Sequence, residues 1–262
     1  MTQQGLLAFK LATSRLKLTA NETPWDSAVF HIPVVQIDEL EVLDPQAAPD
    51  DYAEYQAWVA HEQIGIISCR LAHDQLHESM FLEANGFRFI EMVLHPRLNG
   101  LQKQSIAVDD LQILLANEAD LTNLRVIAET SFGNERYHID PRLDPKLGDE
   151  RYGRWVNNSL SHKTQQLLKI VDGDRLIALF VVEPTSSQSV YWHLTAISPQ
   201  WQGYGYGRRV WLAMLRHHQA EGYEIVSTTI SARNIRVLNL YAQLGFHFTP
   251  PEMTFHWIRE SN

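Results

Sequence analysis

The alternation of apolar and polar positions predicts a chain of short strands and helices. In the first half, apolar runs predict buried strands at 64–71 and 87–94, and helical spacing predicts helices over 52–61 and 74–84. An alternating segment, Leu6 to Leu18, predicts a further strand whose register the pattern leaves open. Strands and helices that interleave in this way are typical of mixed α/β domains.

The second half shows the same interleaving with clearer boundaries. Predicted strands at 164–171 and 175–183 flank Asp172-Gly173-Asp174, a typical hairpin turn, and a third antiparallel strand is expected from Val190 to Ile197. The other predicted elements are helices at 118–131, 151–160, 208–221 and 234–244, and strands at 225–230 and from Phe246 onward. A strand and loop are expected over 106–115, and residues 133–148 form a polar segment.

A glycine-rich segment joins the strand that ends at Ile197 to the helix that follows. After Pro199, glycines stand at alternate positions, Gly203, Gly205 and Gly207. Glycine permits positive φ and lets an anion approach backbone amides, and a helix N-terminus favours negative charge. The spacing matches neither G-x-G-x-x-G nor G-x-x-x-x-G-K-[ST]. The segment therefore predicts a phosphate-binding turn of another kind, or else a βα turn that binds nothing.

This segment resembles the acetyl-CoA signature of the GCN5-related N-acetyltransferase (GNAT) superfamily, Q/R-x-x-G-x-G/A at the start of a helix. The resemblance implies an α/β fold with a mixed sheet and acetyl-CoA as co-substrate. It implies cofactor binding by the backbones of Thr195, Ala196 and Ile197. It further implies that the loop amides bind the pyrophosphate, namely those of Gln202, Gly203, Tyr204, Gly205, Tyr206, Gly207 and Arg208.

The resemblance extends to the helix expected over 234–244. Asn234 and Tyr241 are seven residues apart, which is two helical turns, so both side chains project from one face. In the GNAT family, an Asn and a Tyr so placed contact the cofactor and protonate the leaving thiolate. A phenol with a pKa near 10 keeps its proton at neutral pH, which suits Tyr241 to that role. The alternative is a core aromatic residue.

The general base is less well marked than the acid. Glu183, at the end of one predicted strand, and His193, inside the next, are the candidates, and histidine has the better unperturbed pKa. A water chain without a single base is an equal alternative, and either side chain could be structural.

The chain also contains an internal repeat that bears on its domains. Ile66-Ile67-Ser68, Leu82 and Gly86-Phe87 recur 159 residues later, with Tyr241 in place of Leu82. The polar stretch RLNGLQKQ, residues 97–104, favours a boundary there. We therefore predict a degenerate GNAT-like domain over 1–104, without a glycine loop, and a catalytic GNAT domain over 105–262.

Four short motifs resemble two-lobed acetyltransferases, a subfamily that includes the dTDP-fucosamine acetyltransferase. They are Trp25-Asp26-Ser27-x-x-Phe30, Phe132-Gly133, Arg136-Tyr137-His138 and Tyr152-x-x-Trp155-Val156. The resemblance implies a small-molecule amine acceptor, with a nucleotide-linked amino sugar as one candidate. Arg136, Tyr137 and His138 are the candidate acceptor-binding residues, and an exposed loop is the alternative.

Composition narrows the partners. With 22 Lys and Arg against 31 Asp and Glu, the net charge of −9 disfavours nucleic acid and membrane surfaces as partners. The single cysteine, Cys69, lies in an apolar run and is expected to be a buried, inert thiol. With no long apolar run or export signal in view, we expect a cytoplasmic monomer or homodimer.

The histidines do not predict a metal site. His73 and His77 share a helix turn but have no third ligand at a recognisable spacing, and His217 and His218 are expected to point to different faces. We therefore expect surface histidines and no metal. Two rival functions stay open beside a small-molecule N-acetyltransferase, namely a non-catalytic acyl-CoA-binding or sensing module and an enzyme that acetylates a protein N-terminus or lysine.

Overall fold

The computed structural model describes residues 6–260, which form two compact units. Unit 1 comprises residues 6–93, 140–143 and 250–260, and unit 2 comprises residues 94–139 and 144–249. The sequence predicted one division, between residues 104 and 105. The chain instead passes from one unit to the other at four points.

Unit 1 contains the first seven elements and parts of two later ones. They are β1 (Ala8–Ala12), β2 (Leu16–Glu22), α1 (Pro24–Phe30), β3 (Val34–Val42), α2 (Ala48–His61), β4 (Ile66–Ala72), α3 (Leu76–Ala84), the first part of β5 (Arg88–Asn99) and the last part of β12 (His247–Ile258). The strand order is β1, β2, β3, β4, β12, in which only β3 and β4 are parallel. The alternating segment at 6–18 is thus not one strand, since Thr13 turns the chain by accepting from and donating to Leu16.

Unit 2 contains the remaining elements. They are β6 (Gln112–Leu115), α4 (Leu121–Ser131), α5 (Arg136–Ile139), α6 (Pro145–Ser159), β7 (Gln166–Asp172), β8 (Arg175–Ser186), β9 (Ser189–Ile197), α7 (Tyr206–Ala220), β10 (Ile225–Thr228), β11 (Ile230–Ser231) and α8 (Ile235–Gln243). Its strand order is β5, β10, β9, β8, β7, β6, with β9 and β10 parallel. The predicted mixed α/β class with mixed sheets is confirmed. Among residues 6–260, no helix is both long and apolar enough to cross a bilayer.

Several predicted boundaries are wrong, for local reasons. Helix α6, predicted to begin at residue 151, begins at Pro145 within the polar segment, because the Asp144 side chain accepts from Lys146 N at 3.0 Å and Pro145 suits a first helical position. Helix α2, predicted to begin at residue 52, begins at Ala48, so Asp50 and Asp51 lie inside its first turn.

The internal repeat is reproduced in the elements themselves. Strand β4 and β10 begin 159 residues apart, and so do α3 and α8, and β5 and β12. The last two strands also have equal lengths, 12 residues each. The repeat predicted from a few residue identities is therefore a repeat of strand, helix and strand, although β11 lies between β10 and α8 in the second copy.

Each unit receives a strand that the sequence placed elsewhere. In unit 1, β12 residues Glu252 to Ile258 pair antiparallel with β4. In unit 2, β5 residues Arg97 to Asn99 pair antiparallel with β10, although Pro96 and the polar residues after it predicted a boundary. This exchange explains why the division between the units differs from the predicted one.

Unit 1 also contains a fully buried carboxylate. Asp140 accepts from Arg142 Nε at 2.9 Å and Nη2 at 2.8 Å, and its Oδ2 lies 3.0 Å from His256 Nδ1. Burial by itself raises the pKa of Asp140, but the hydrogen bonds from His256 and Arg142 outweigh it, so the pKa is lowered. Removing one member of such a buried set leaves the charges of its partners buried without a counter-charge, which is strongly destabilising.

We expect Asp140→Ala to lower the free energy of unfolding by about 3 kcal/mol, measured by urea denaturation. Because the folded pKa of Asp140 is depressed, its contribution is present above about pH 4 and is lost as the pH falls toward the folded pKa. The variant should therefore lose less stability in acid than the wild type. Asp74→Ala, at an exposed position, serves as the control. Equal urea midpoints for wild type and Asp140→Ala would contradict the assignment.

Candidate active site

The glycine loop, residues 202–207, begins the site in unit 2. Gly203 and Gly205 have φ of 86° and 84°, and nothing lies within 4 Å of where a Cβ would stand on either. Gly205 is the N-cap of α7. In the part of the chain that the structure describes, no backbone carbonyl accepts a well-aligned hydrogen bond from the N–H groups of Gly203 to Gly207. Unbonded amides at a helix N-terminus are suited to an anion.

The other predicted loop residues divide between support and exposure. Gln202 Nε2 donates to Ile197 O at 3.1 Å, and the Tyr206 hydroxyl donates to Asp172 Oδ2 at 2.7 Å, so both fix the loop to neighbouring strands. Tyr204 and Arg208 are exposed. Arg209, by contrast, is held by two 2.8 Å hydrogen bonds to Asp109, which offsets its charge.

Strand β9, which leads into the loop, contains a β-bulge at His193. Val181 is paired with Leu194 and Val182 with Trp192, so His193 has no opposite residue on β8. The bulge shifts the alternation of side chains. As a result Trp192 packs in the core beneath α7, whereas Leu194 packs in the core formed with α4 and α6.

Beyond the bulge, β9 has an open edge. Strand β10 pairs with β9 only as far as Thr228 opposite Trp192. Ser198 N donates to Ile177 O, so the backbone of Ser198 faces β8. Because successive residues of a strand face opposite sides, the backbone groups of Ala196 also face β8. The backbone groups of Thr195 and Ile197 face away from it. The Ile197 carbonyl accepts from side chains, including Gln202. We call the Thr195 carbonyl and the Ile197 N–H the open edge.

The Tyr241 side chain lies beside this edge. It is 1% exposed, and the Thr195 and Thr228 side chains lie within hydrogen-bonding reach of its phenol. Burial raises the pKa of Tyr241, although these hydrogen bonds oppose the shift. The phenol therefore keeps its proton at neutral pH.

Asn234 lies two turns before Tyr241, at the start of α8. Its Oδ1 accepts from Val237 N at 3.4 Å, so it is the N-cap of the helix. The cap uses the amide oxygen and leaves Nδ2 able to donate to a ligand. Asn234, which the sequence marked as a partner of Tyr241, thus also marks the start of α8.

Glu183 and His193, the two candidate bases, are paired with each other. Glu183 Oε2 lies 2.6 Å from His193 Nε2, and the two side chains are 26% and 21% exposed. Thr164 donates to Glu183 Oε1 at 2.5 Å. The hydrogen bonds from Thr164 and from His193 lower the pKa of Glu183. Sequence reasoning missed Thr164, which no motif marks.

The predicted acceptor residues lie in α5, not in an exposed loop. Tyr137 is 1% exposed, beneath the guanidinium of Arg136, which lies 4.7 Å from the ring centre. His138 Nε2 is 3.0 Å from Asp149 Oδ1, and its ring stacks on Tyr152 with centroids 5.8 Å apart.

A row of rings connects α5 to the bulge. Tyr152 stacks on Trp155 with centroids 6.5 Å apart, and Trp155 lies 5.8 Å from the His193 ring. The guanidinium of Arg151 lies over both Tyr152 and Trp155, at 5.7 and 5.4 Å. The acceptor candidates and the base candidates are thus joined by one aromatic surface, although His138 and His193 do not touch directly.

His217 and His218 do not diverge as predicted. His217 Nε2 lies 3.5 Å and His218 Nδ1 lies 3.1 Å from the carboxylate of Glu221, and one ligand atom from each residue fits within 4.8 Å. Burial lowers the pKa of His218 to about 4, so this ring is neutral. Its Nε2 is buried without a hydrogen-bond partner among residues 6–260, whereas metal-bound histidines normally have one. The absence of a metal stays a prediction.

Comparison with known proteins bears on the second half of the chain. The model of the acetyltransferase (GNAT) domain family matches residues 152–262. A mycothiol acetyltransferase from Frankia casuarinae is 35% identical over 69 residues, which are 26% of this chain and 20% of that protein. The match therefore spans about a fifth of that relative's length.

Solved structures share the fold at low sequence identity. A functionally unknown conserved protein from Staphylococcus epidermidis has a TM-score of 0.67 at 10% identity, covering 97% of this chain and 95% of its own. A GCN5-related N-acetyltransferase from Sphaerobacter thermophilus has a TM-score of 0.62 at 10% identity, covering 95% and 82%. A tandem GNAT protein from the clavulanic acid biosynthesis pathway has a TM-score of 0.60 at 11% identity, covering 98% and 84%. Residues 152–262 thus match the GNAT acetyltransferase domain family, and the fold of the chain is similar to that of GNAT proteins, tandem members included.

Proposed function

We propose that unit 2 is an acetyl-CoA-dependent N-acetyltransferase that acts on the primary amine of a small molecule. The observation that carries the proposal is the convergence of three features, which are the unbonded amides of the glycine loop, the open edge of β9 and the buried Tyr241 phenol. A nucleotide-linked amino sugar is the acceptor that we place first among the candidates.

The residues present fit acetyl-CoA in two places. The amides from Gly203 to Arg208 offer donors for a pyrophosphate, with the positive end of α7 behind them. The open edge offers one carbonyl acceptor and one N–H donor, which is the complement of a secondary amide and pairs as an added strand would. When bound there, acetyl-CoA supplies an acetyl group activated as a thioester.

The side chains around the open edge have separate roles in this proposal. Tyr241 holds a proton at its hydroxyl for a leaving thiolate. The Glu183–His193 pair takes a proton from the acceptor amine, directly or through water, with Glu183 fixing the orientation of the imidazole. Arg136, Tyr137 and His138, through the aromatic surface on α6, orient the acceptor.

Thiol release from acetyl-CoA tests the proposal against its rivals. The purified chain is incubated with acetyl-CoA and a panel of amino sugars, nucleotide-linked amino sugars, amino acids, polyamines and short peptides. Release that depends on a small amine supports the proposal, and release with peptides alone favours a protein acetyltransferase. Calorimetric binding of acetyl-CoA without release by any amine would favour a binding or sensing module.

Thr164→Val tests the role of the Glu183–His193 pair. The substitution removes the hydrogen bond that contributes most to the lowered pKa of Glu183, so the pKa rises. If the charged carboxylate is needed, the acid limb of the kcat/KM profile moves to higher pH, with little change on the plateau. Thr130→Val, on the exposed surface of α4, is the matched control. An unchanged acid limb would remove Glu183 from the proton path.

A further inference from the structure

Strand β3 of unit 1 repeats the local geometry of β9. Thr19 is paired with Glu39 and Ala20 with Ile37, so Asp38 is bulged out of register with β2. Strand β3 pairs in parallel with β4 over four residues, Val34 to Ile37, and the pairing ends there. Strand β9 likewise pairs with β10 over its first four residues and is bulged at the fifth.

The hydrogen bonds fix the correspondence between the two strands. Leu43 N donates to Arg15 O, as Ser198 N donates to Ile177 O at the same distance beyond the bulge. By alternation, the backbone groups of Leu40 and Val42 therefore face away from β2. Leu40 and Val42 occupy the positions that Thr195 and Ile197 occupy in unit 2.

In unit 1 this edge is closed by the chain itself. Glu78 Oε1 accepts from Val42 N at 3.0 Å, in a buried position. Gln75 Nε2 donates to Leu40 O at 3.4 Å. Together the two side chains satisfy the N–H and the carbonyl that correspond to the open edge of β9.

The matching positions of unit 2 cannot close its edge. The residues 159 positions after Gln75 and Glu78 are Asn234 and Val237. Asn234 caps α8, and the apolar side chain of Val237 cannot accept a hydrogen bond. The edge of β9 is thus left for a ligand, whereas the edge of β3 is already satisfied.

The backbone amides at the start of α2 are also bonded within the chain, unlike those at the start of α7. Asp44 Oδ1 accepts from Gln46 N at 3.0 Å and from Ala47 N at 3.3 Å, just before the helix. Asp50 and Asp51 add carboxylates in its first turn. Where unit 2 presents unbonded amides to an anion, unit 1 has a carboxylate already bonded to the amides, and Arg15 offsets the charge of Asp51.

We propose that unit 1 is a cofactor cleft of the acyl-CoA type that the chain has filled with its own side chains. The Glu78 and Gln75 side chains make the backbone hydrogen bonds that the amide-bearing arm of the cofactor would make. The Asp44 carboxylate accepts from backbone amides as the phosphate of the cofactor would. The chain therefore takes one acyl-CoA, in unit 2. The likeness of unit 1 to a cofactor cleft rests on the proposed function of unit 2. The closure of the β3 edge can be tested without reference to what unit 2 binds.

Hydrogen exchange of the Val42 amide tests the closure directly. We expect slow exchange in the wild type, and exchange faster by about 10-fold or more in Glu78→Ala, because the buried N–H loses its acceptor. Glu78→Gln keeps the accepting oxygen and should exchange within about threefold of the wild type. Equal Val42 exchange in Glu78→Ala and the wild type would overturn the closure, whatever unit 2 binds.

The same method, with acetyl-CoA added to the full chain, tests the count of sites. Protection confined to residues 193–208 and α8, with a calorimetric stoichiometry of one, supports the proposal. Protection of residues 38–47, or a stoichiometry of two, would overturn it. If acetyl-CoA protects neither unit, the proposed function of unit 2 fails, and the Val42 exchange rates still decide whether the β3 edge is closed.

Discussion

Replacing Tyr241 with phenylalanine is expected to lower kcat by about 10²- to 10³-fold while the KM for acetyl-CoA changes little. The substitution removes only the hydroxyl, so the ring still packs against Trp211 and Phe246. A positioned general acid contributes about 10²–10⁴-fold, and its loss falls on the chemical step rather than on binding. The measurement is thiol release at saturating acetyl-CoA with the best amine of the panel.

Two further readouts separate catalysis from packing. Because burial raises the pKa of Tyr241, its proton is retained up to high pH, and any alkaline limb due to this phenol should be absent in the variant. Tyr55→Phe is the matched control, since Tyr55 is also fully buried and its hydroxyl has no partner among the residues described. It should leave kcat unchanged. A Tyr241→Phe enzyme with the wild-type kcat would show that the phenol is a core residue.

Gly205→Val should weaken acetyl-CoA binding by about 100-fold or more, because a β-branched residue is a severe outlier at positive φ. Gly205 has φ of 84° and caps α7, so relief of the strain must move the amides on either side of it. Helix α7 itself should persist, since its buried face lies in the core of unit 2. Titration calorimetry gives the Kd, and far-ultraviolet circular dichroism gives the helix content.

The matched control lies at the other end of the same helix. Gly222 has φ of 89° and equally open surroundings, so Gly222→Val introduces comparable strain at the end of α7 away from the loop. It should lower stability by about 1–2 kcal/mol and leave the Kd for acetyl-CoA unchanged. Equal weakening of binding by both variants would show that strain in α7, not the loop amides, is responsible.

The parts of the site that the sequence predicted depend on local signals. Alternate glycines between a strand and a helix predicted the loop, and the Asn234 and Tyr241 pair predicted a helix that Asn234 caps and that contains Tyr241. The hairpin at Gly173 and the repeat of 159 residues were also read from neighbouring residues. In each case the residues that form the sequence pattern are the same residues that form the loop, helix, hairpin or repeat.

The parts that were missed depend on partners far along the chain. Alternation shows which face of a strand is buried, but not which strand lies beside it, so the pairing of β12 with β4 could not be predicted. The bulge at His193 is a mismatch between two strands and leaves no mark in either one. The hydrogen bond from Thr164 to Glu183 joins residues 19 apart whose approach depends on the β7–β8 register.

The pairing of β12 with β4 sets an order of events during synthesis. Residues 252–258 are synthesised after the whole of unit 2. Until they leave the ribosome, β4 has no partner on that side and presents free N–H and carbonyl groups. Domains usually fold in order from the N-terminus during synthesis, but unit 1 of this chain cannot complete its fold before unit 2 is made. Unit 1 must remain incomplete while unit 2 is translated, and a ribosome that stalls before residue 252 exposes a strand edge on which aggregation can begin.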